Sequence, residues 1–338
     1  MAKKALVSGY IGFNNFGDDA IFEEVIKNFQ AKDVEISALS SNPAATEKRY
    51  NIKAYEYKNF KEILKAVWST NILISGGGSL FQNGTSLFSL FYYASIIILA
   101  KLLGKKVIIL GQGIGPSDGI FSNWLTAFCL KLANIVTIRD TSSFRFLKKH
   151  KISGKLFPDP VWSMKMPEYN PQGIIGIQVR DSYKITDVFM KNFAHFIGIF
   201  YSDKPIRVFL FQNNQDRKNA TLLCSLVKKE YPSADIKIVE YTTVPKLLED
   251  FSHLEKLIAM RYHACLVGYR LGIKTFCISY NKKIDELCRD FSTKCVQISN
   301  DLDFYREFDD FYNWEEPPIF KQKRAEKFHW EIFDSILK

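Results

Sequence analysis

The sequence predicts an α/β protein with two Rossmann-like domains that face a cleft. Short β-branched runs alternate with longer amphipathic stretches along the whole chain, a pattern typical of mostly parallel sheets. Glycine-rich segments follow several of these runs, as loops between a strand and a helix do. The chain has 338 residues, which is long for one core and suits two domains of about 150 residues each.

The first domain is predicted at residues 1–165. A helix at 18–30 follows from the placement of Ile21, Val25 and Phe29 on one helical face. The other elements predicted in this half are strands at 5–8, 34–37, 72–75, 107–110 and 135–138 and helices at 60–69, 87–103, 121–133 and 141–149.

The second domain is predicted at residues 172–315, after a linker in which Pro167 and Pro171 bracket a polar segment. Residues 316–338 are predicted as a C-terminal helix, because apolar side chains recur there at a spacing of four. The other elements predicted in this half are strands at 174–179, 207–211, 236–239, 256–259 and 275–279 and helices at 216–230, 245–251 and 262–271.

The composition is that of a globular, basic protein. Apolar residues make up 47% and charged residues 24%, which argues against disorder. The formal net charge of +10 favours anionic partners such as phosphates, acidic glycans, nucleic acid or anionic lipids. The basic residues are spread along the chain, so an ordinary solvated surface is the alternative interpretation. Aromatic residues reach 14%, which suits a sugar or membrane-surface binder.

The cysteines predict a reducing compartment. No Cys-x-x-Cys pair and no zinc-like spacing with histidine occurs, so we expect small buried hydrophobes and no metal site. The chain opens directly into a short strand without the pattern of a signal peptide, and a cytoplasmic protein is expected. The six cysteines are Cys129, Cys224, Cys265, Cys277, Cys288 and Cys295.

One apolar stretch needs a separate interpretation. Residues 87–100 are apolar over 14 positions, whereas a bilayer span needs about 20. Tyr92 and Ser95 interrupt the stretch, and Lys101 closes it. A buried or membrane-apposed helix is therefore expected here, not a membrane span.

In parallel sheets, ligands bind at the carboxyl ends of the strands. The loop after the first strand, residues 9–20, contains three glycines that let the backbone approach a ligand. Its glycine spacing departs from the dinucleotide fingerprint. Asp18 and Asp19 are interpreted either as sugar-hydroxyl ligands or a general base, or as helix caps. Tyr10 and Asn14 are the other substrate-binding candidates of this loop.

The next loops of the first half add further candidates. Three consecutive glycines, 76–78, follow a strand and serve either an anion or tight strand–helix packing. Gln112 offers a hydrogen-bond donor and an acceptor after another strand, or it belongs to a rigid turn. For Arg139-Asp140 and for Asp159-Pro160, a structural ion pair or a turn is the preferred interpretation. The substrate-binding candidates are Gly76, Gly77, Gly78, Gln112 and Arg139.

The strongest cluster lies in the second half, where an apolar strand delivers Arg261, Tyr262 and His263 to the start of a helix. Histidine is the usual acid–base catalyst near neutral pH, and arginine binds carboxylate or phosphate bidentately. The alternative is a core histidine beside a salt-bridged arginine. Lys282 and Lys283 follow the next strand and add positive charge.

Taken together, these loops resemble the polysaccharide pyruvyl transferase family over about residues 5 to 290. The pieces occur in the family's order, which makes the resemblance specific. They are GYIGFNNFGDDAI, SGGGSLFQ, LGKKVIILGQGIGP, TIRD, DPV, AMRYHACLVGYRLGIK and ISYNKKI. The resemblance implies a GT-B-like fold, with a C-terminal helix that can return to the first domain.

The resemblance also assigns residues. It implies catalytic roles for Arg261, His263 and Asp18 and a donor contact for Lys283. The sequence departs from the family pattern at four positions. Tyr262 replaces leucine, Asp19 replaces glutamate, Asn281 replaces aspartate and Lys282 replaces proline. The last two leave open whether Lys282 or Lys283 contacts the donor.

The implied activity is transfer of pyruvate from phosphoenolpyruvate to two hydroxyls of one sugar, giving a cyclic ketal and phosphate. The implied acceptor is a bacterial surface-glycan precursor, often lipid-linked, so peripheral contact with the inner membrane surface is expected. No cofactor, metal or nucleic acid is expected.

Two alternatives stay open. A nucleotide-sugar glycosyltransferase of the same architecture would need an acidic residue for the ribose, and Glu240 stands after a predicted strand. A non-catalytic glycan- or anion-binding protein on a decayed enzyme scaffold is the second alternative.

Overall fold

The computed structural model describes residues 3–81, 87–115, 119–312 and 327–337. The chain divides into two compact units. One comprises Met1–Met164 together with Lys323–Lys338, and the other comprises Lys165–Gln322. Part of the predicted C-terminal helix, residues 316–326, lies outside the described residues.

The first unit is built around a sheet whose described strands all pair in parallel. These strands are β1 (Lys3–Ser8), β2 (Val34–Ser40), β3 (Lys53–Glu56), β4 (Ile72–Gly76), β5 (Lys106–Gln112), β6 (Ile135–Ile138) and β7 (Lys155–Leu156). The helices are α1 (Phe16–Gln30), α2 (Pro43–Tyr50), α3 (Phe60–Trp68), α4 (Leu87–Leu102), α5 (Ile120–Leu132) and α6 (Thr141–Lys149).

The strand order is β3-β2-β1-β4-β5-β6-β7. From β1, the chain first adds strands on one side of the sheet, β2 and β3, and then adds β4 to β7 on the other side. Right-handed crossovers then place α3 to α6 on the opposite side of the sheet from α1 and α2. Ile63 of α3, Leu90 of α4, Leu125 of α5 and Leu147 of α6 accordingly share one buried cluster. In such a sheet, the loops after β1 and β4 open the crevice in which ligands bind.

The C-terminal residues pack on the α1 side of this sheet. A 3₁₀ turn, Trp330–Phe333, precedes α13 (Asp334–Leu337), so the described part of the tail is less helical than predicted. The rings of Trp330 and Phe333 lie 6.3 and 5.4 Å from the ring of Phe29. Lys32 forms an ion pair with Asp334. The tail therefore completes the core of the first unit.

The second unit repeats the architecture with strand order β10-β9-β8-β11-β12-β13, again all parallel. Its strands are β8 (Ile174–Gln178), β9 (Ile206–Phe209), β10 (Ile236–Val239), β11 (Leu254–Ala259), β12 (Lys274–Ser279) and β13 (Cys295–Gln297). Its helices are α7 (Asp187–Tyr201), α8 (Asn213–Glu230), α9 (Val244–Ser252), α10 (Tyr262–Leu271), α11 (Lys282–Phe291) and α12 (Phe304–Tyr312).

The cysteines have a structural role. The six thiols form no disulfide, and burial raises the pKa of Cys129 to about 12, so its sulfur remains a neutral thiol. Cys277 packs against the hydroxyl of Tyr269.

No helix among the described residues combines the length and apolar character needed to cross a bilayer.

We expect the partly buried carboxyl group of Glu23, in α1, to make the stability of the fold depend on pH. Burial raises the pKa of Glu23 from 4.5 to about 7, against the lowering effect of Arg49 at 3.4 Å. The unfolded chain therefore loses this proton at lower pH than the folded protein, and stability falls as pH rises from about 4.5 to about 7. Glu23→Gln should remove this decline and raise the melting temperature at pH 8 by about 2–4 °C.

Thermal melts at pH 4.5 and pH 8 check this prediction, with Glu35→Gln on the exposed end of a strand as the matched control. The two variants should differ only at the higher pH. Equal pH profiles for Glu23→Gln and the native chain would contradict it.

Candidate active site

The loops after β1, β4 and β5 meet at the carboxyl edge of the first sheet. The N–H of Gly113 donates to the carbonyl of Gly78 at 2.9 Å, and the N–H of Gly77 donates to the carbonyl of Leu110 at 3.0 Å. A Cβ on Gly9 would lie 2.8 Å from the carbonyl oxygen of Gly76. The first three predicted loops are therefore in direct contact.

Helix α1 begins earlier than predicted. Asn15 is its N-cap, and the side-chain oxygen accepts a hydrogen bond from the Gly17 N–H at 3.1 Å. Asp18 and Asp19 lie in the first turn, so their interpretation as helix caps was wrong. The helix dipole stabilises an ionised carboxylate at this position.

Asp18 lies against the triple-glycine loop. Gly78 has φ +71°, and a Cβ there would lie 2.7 Å from Oδ1 of Asp18. Gly77 has φ +74°, and its Cβ would lie 2.5 Å from Cγ2 of Ile21. The loop thus packs closely on α1, as the packing alternative predicts, and it brings the Asp18 carboxylate to the sheet edge. Tyr10 and Gly76 line a small recess together with Asp18.

The other candidates of the first loop differ in setting. Asp19 is buried, and its Oδ2 accepts a hydrogen bond from Arg49 at 3.0 Å, an ion pair that holds α1 against α2. The ring of Tyr10 stacks on Phe13 at 3.9 Å. Asn14 is exposed and has φ 53°, a left-handed conformation that asparagine tolerates. Of the two acids, Asp18 is the one beside the glycine loop.

Gln112 and Arg139 are both buried at this edge. Nε2 of Gln112 donates to the carbonyls of Gly78 and Gly113, each at 3.3 Å. Its Oε1 has no donor among the residues that the structure describes. Arg139 donates to Asp159 at 2.6 Å, which agrees with the preferred interpretation of a structural ion pair.

In the second unit, Arg261 is bound to an acidic residue that the sequence did not single out. Its Nε and one terminal nitrogen both donate to the carboxylate of Asp216, with Nε to Oδ2 at 2.9 Å. Asp216 is fully buried and also accepts the backbone N–H groups of Phe211 and Gln212. One edge of the guanidinium is therefore fixed by the protein.

A second arginine at this edge was also missed. Arg180 follows β8, packs over the ring of Tyr280 at 4.7 Å and donates a hydrogen bond to its hydroxyl. Lys184 donates to the Tyr280 carbonyl at 2.9 Å. The rule that selected Arg261, a polar residue directly after a buried strand, also applies to Arg180. Because β8, β11 and β12 are neighbours, their ends bring these cations to one stretch of the edge.

Tyr262 and His263 form the first turn of α10, which begins directly after Arg261. Both side chains are half-buried, and their rings meet edge to face at 5.0 Å. The structure thus keeps Arg261 and His263 together at the end of β11. The N-terminus of α10 adds a field that favours an anion.

The lysines that follow β12 lie in different settings. Lys282 is exposed, whereas Lys283 is half-buried. Asn281 caps α11 by accepting the N–H groups of Lys283 and Ile284. Asparagine therefore fills the capping role that aspartate also performs, and the two lysines that follow it differ in exposure.

The residue proposed for the glycosyltransferase alternative takes part in an ion pair. Glu240 forms an exposed ion pair with Arg217 at 2.8 Å. Within the described part of the chain, no group of three His, Cys, Asp or Glu side chains is arranged to hold a metal ion.

Solved structures of nucleotide-sugar enzymes share this fold. UDP-GlcNAc 2-epimerase from Methanocaldococcus jannaschii matches with a TM-score of 0.66 and 11% identity, over 100% of this chain and 99% of that chain. MnaA from S. aureus, in a co-structure with UDP, gives 0.65 and 11% over 99% and 95%. Anabaena Alr3699/HepE, in complex with UDP and glucose, gives 0.53 and 8% over 82% and 80%. The fold class is therefore GT-B-like, with two Rossmann-like α/β domains, as predicted.

The family follows from the sequence match. The polysaccharide pyruvyl transferase family matches residues 15–282, which include most of the loops described above but not Tyr10, Asn14 or Lys283. The chain belongs to this family, and the resemblance of its loops is confirmed. Membership makes it a transferase of polysaccharide biosynthesis. The curated proteins give no significant match.

Proposed function

We propose that the protein transfers the pyruvyl group of phosphoenolpyruvate to two hydroxyls of a sugar, with release of phosphate. The observation that carries the proposal is the cationic edge of the second sheet, where Arg180, Arg261 and Lys283 follow three neighbouring strands. Phosphoenolpyruvate carries both a carboxylate and a phosphate, so it requires several cations at one place.

The two sheet edges differ in charge, which supports separate ligands. In the first unit, Arg49 and Arg139 are each bound to a buried aspartate, Asp19 and Asp159. In the second unit, Arg261 is likewise bound to Asp216, so the difference in charge between the two edges rests on Arg180 and Lys283. The edge of the first sheet otherwise presents glycine backbone, the Gln112 amide and the Asp18 carboxylate. Such groups suit the hydroxyls of a sugar. We therefore assign the donor to the second unit and the acceptor to the first.

The proposed chemistry begins with proton transfer from the His263 imidazolium to the methylene carbon of the donor. The adjacent carbon becomes cationic, and a sugar hydroxyl attacks it while Asp18 accepts the hydroxyl proton. The bond from this carbon to the phosphate oxygen then breaks, and phosphate departs beside Arg261 and Lys283. The proton held by Asp18 passes to the departing phosphate. The second hydroxyl then attacks the same carbon and closes the ring, and its proton restores the His263 imidazolium.

The donor assignment predicts a selective ligand response. Phosphoenolpyruvate should raise the melting temperature of the native protein, and Lys283→Ala should weaken this response by about tenfold in ligand concentration. Lys282→Ala, at the exposed neighbouring position, is the matched control. Phosphate release should require a sugar acceptor. A response to UDP-sugars with none to phosphoenolpyruvate would contradict the assignment and support the glycosyltransferase alternative.

The proposal also includes a location. Phosphoenolpyruvate is a metabolite of the cytoplasm, so a cytoplasmic enzyme that acts on a surface-glycan precursor is proposed. Fractionation of cells that express the tagged protein tests this point separately from the donor.

A further inference from the structure

The outer side of α3, α4 and α5 carries a concentration of exposed apolar side chains. Eleven of the 16 exposed large hydrophobic residues in the described part of the chain belong to these three helices. We call this surface the α3–α5 face. Its six most exposed members are Phe60, Trp68, Phe88, Leu102, Ile120 and Trp124.

These side chains form continuous stripes. On α4, Phe88, Phe91 and Leu102 fall on one face, and on α5 Phe121, Trp124 and Phe128 do the same. Ring contacts link the two stripes. Phe91 lies 5.8 Å from Phe121, which lies 5.8 Å from Trp124, and Trp124 stacks on Phe128 at 5.6 Å. The exposed rings of α4 and α5 therefore form one connected patch, and α3 adds its exposed side chains to the same side of the sheet.

The opposite side of the same helices already fills the core of the first unit. Ile63, Ile97 and Leu130, one from each helix, are buried in the cluster beneath the sheet. The exposed apolar side chains on the outer side are therefore not needed to form the core of the first unit. A connected exposed patch of this kind marks a surface that a partner or a membrane covers. Tryptophan and phenylalanine are typical of helices that lie in the bilayer interface.

The charges on these helices favour a membrane over a second copy. They carry four lysines, Lys61, Lys65, Lys101 and Lys131, and one acid, Glu62. Lys131 continues the stripe of Trp124 and Phe128. A symmetric dimer through this face would bring lysines against lysines, whereas an anionic headgroup layer attracts them.

We propose that the α3–α5 face docks on an anionic lipid bilayer. Helices α4 and α5 begin at the carboxyl edge of the first sheet, so Phe88 and Ile120 lie at the end of the face that adjoins the glycine loops. Docking would then hold the acceptor edge close to the headgroup layer. This last consequence rests on the proposed function and names a lipid-linked glycan as the acceptor class. The docking itself does not depend on it.

Co-sedimentation of the full chain with vesicles tests the docking. Vesicles of phosphatidylcholine with phosphatidylglycerol should bind the protein, and phosphatidylcholine alone should bind it about tenfold less. High salt should weaken the binding. Phe88→Ser with Trp124→Ser should lower binding to anionic vesicles about tenfold, and Lys61→Glu with Lys65→Glu should do the same. Tyr183→Ser with Ile199→Ser, exposed positions of the second unit, is the matched control and should bind normally.

We call the Phe88→Ser, Trp124→Ser protein the stripe variant. If it binds anionic vesicles as well as the native chain does, the proposal is overturned. The proposal is also overturned if the native chain binds neutral and anionic vesicles equally. Gel filtration adds a third outcome: a dimer that the stripe variant abolishes, with no vesicle binding, would assign the face to a second copy. Turnover of a water-soluble acceptor separates the two proposals. It should be normal in the stripe variant, and its absence in the native protein would count against the proposed reaction only.

Discussion

Replacement of His263 by glutamine should lower kcat by about 10²–10⁴-fold and change the donor KM much less. The residue lies in the first turn of α10, a helix that begins directly after Arg261. Glutamine keeps a polar side chain there but cannot supply a proton. Steady-state kinetics of phosphate release, with melting temperatures for each variant, measure both effects.

His253→Gln provides the control for this prediction. That histidine also belongs to the second unit, at the end of α9, where it pairs with Glu249 at 3.7 Å. Its replacement should leave kcat unchanged. A well-folded His263→Gln enzyme with near-normal kcat would remove His263 from the mechanism.

Replacement of Arg261 should act on the donor and on folding at once. Arg261→Ala should raise the donor KM about 10–100-fold, because a charge-assisted contact is lost. It also leaves the buried Asp216 carboxylate without its arginine, which destabilises the fold by about 3–5 kcal/mol. Arg261→Lys keeps a positive charge beside Asp216, so it should fold, yet KM should remain raised because one ammonium cannot serve both Asp216 and the donor.

Arg217→Ala is the matched control, because Arg217 pairs with Glu240 on the exposed surface of the same unit. Donor KM should not change in this variant. A normal donor KM in a folded Arg261→Lys enzyme would show that the arginine only maintains structure through Asp216.

The sequence allowed the prediction of the fold class and of the loops that form both sheet edges. Apolar runs indicate the buried strands of a parallel sheet, and glycine or polar residues after a run indicate where the strand ends. Three short strands were not predicted. Strands β3, β7 and β13 have four, two and three residues, too few to show a period. Helices α2, α7, α11 and α12 were not predicted either, although most of the apolar side chains of α7 are buried.

Partners distant in sequence could not be predicted. Asp216 lies 45 positions from Arg261, and only the packing of α8 beside the end of β11 brings the two together. Asp159 and Arg139 meet in the same way. Capping preferences alone also left the start of α1 ambiguous, because Asn15, Asp18 and Asp19 are all good capping residues. In the structure, Asn15 has the extended backbone of an N-cap, whereas Asp18 and Asp19 are already helical.

The apolar stretch at 87–100 shows a different limit. Its composition predicted a buried or membrane-apposed helix, and α4 presents one apolar side to the core and another to the surface. A helix that is apolar all round has no single stripe from which the sequence could identify the outer side.

Mass spectrometry of an acceptor glycan after incubation with phosphoenolpyruvate distinguishes pyruvyl transfer from sugar transfer. Pyruvyl transfer gives a product heavier by one pyruvate less one water, equal in amount to the phosphate released, and absent with the His263→Gln enzyme. A glycan that stays unchanged with phosphoenolpyruvate but gains a sugar from a UDP-sugar would show that the protein is not a pyruvyl transferase.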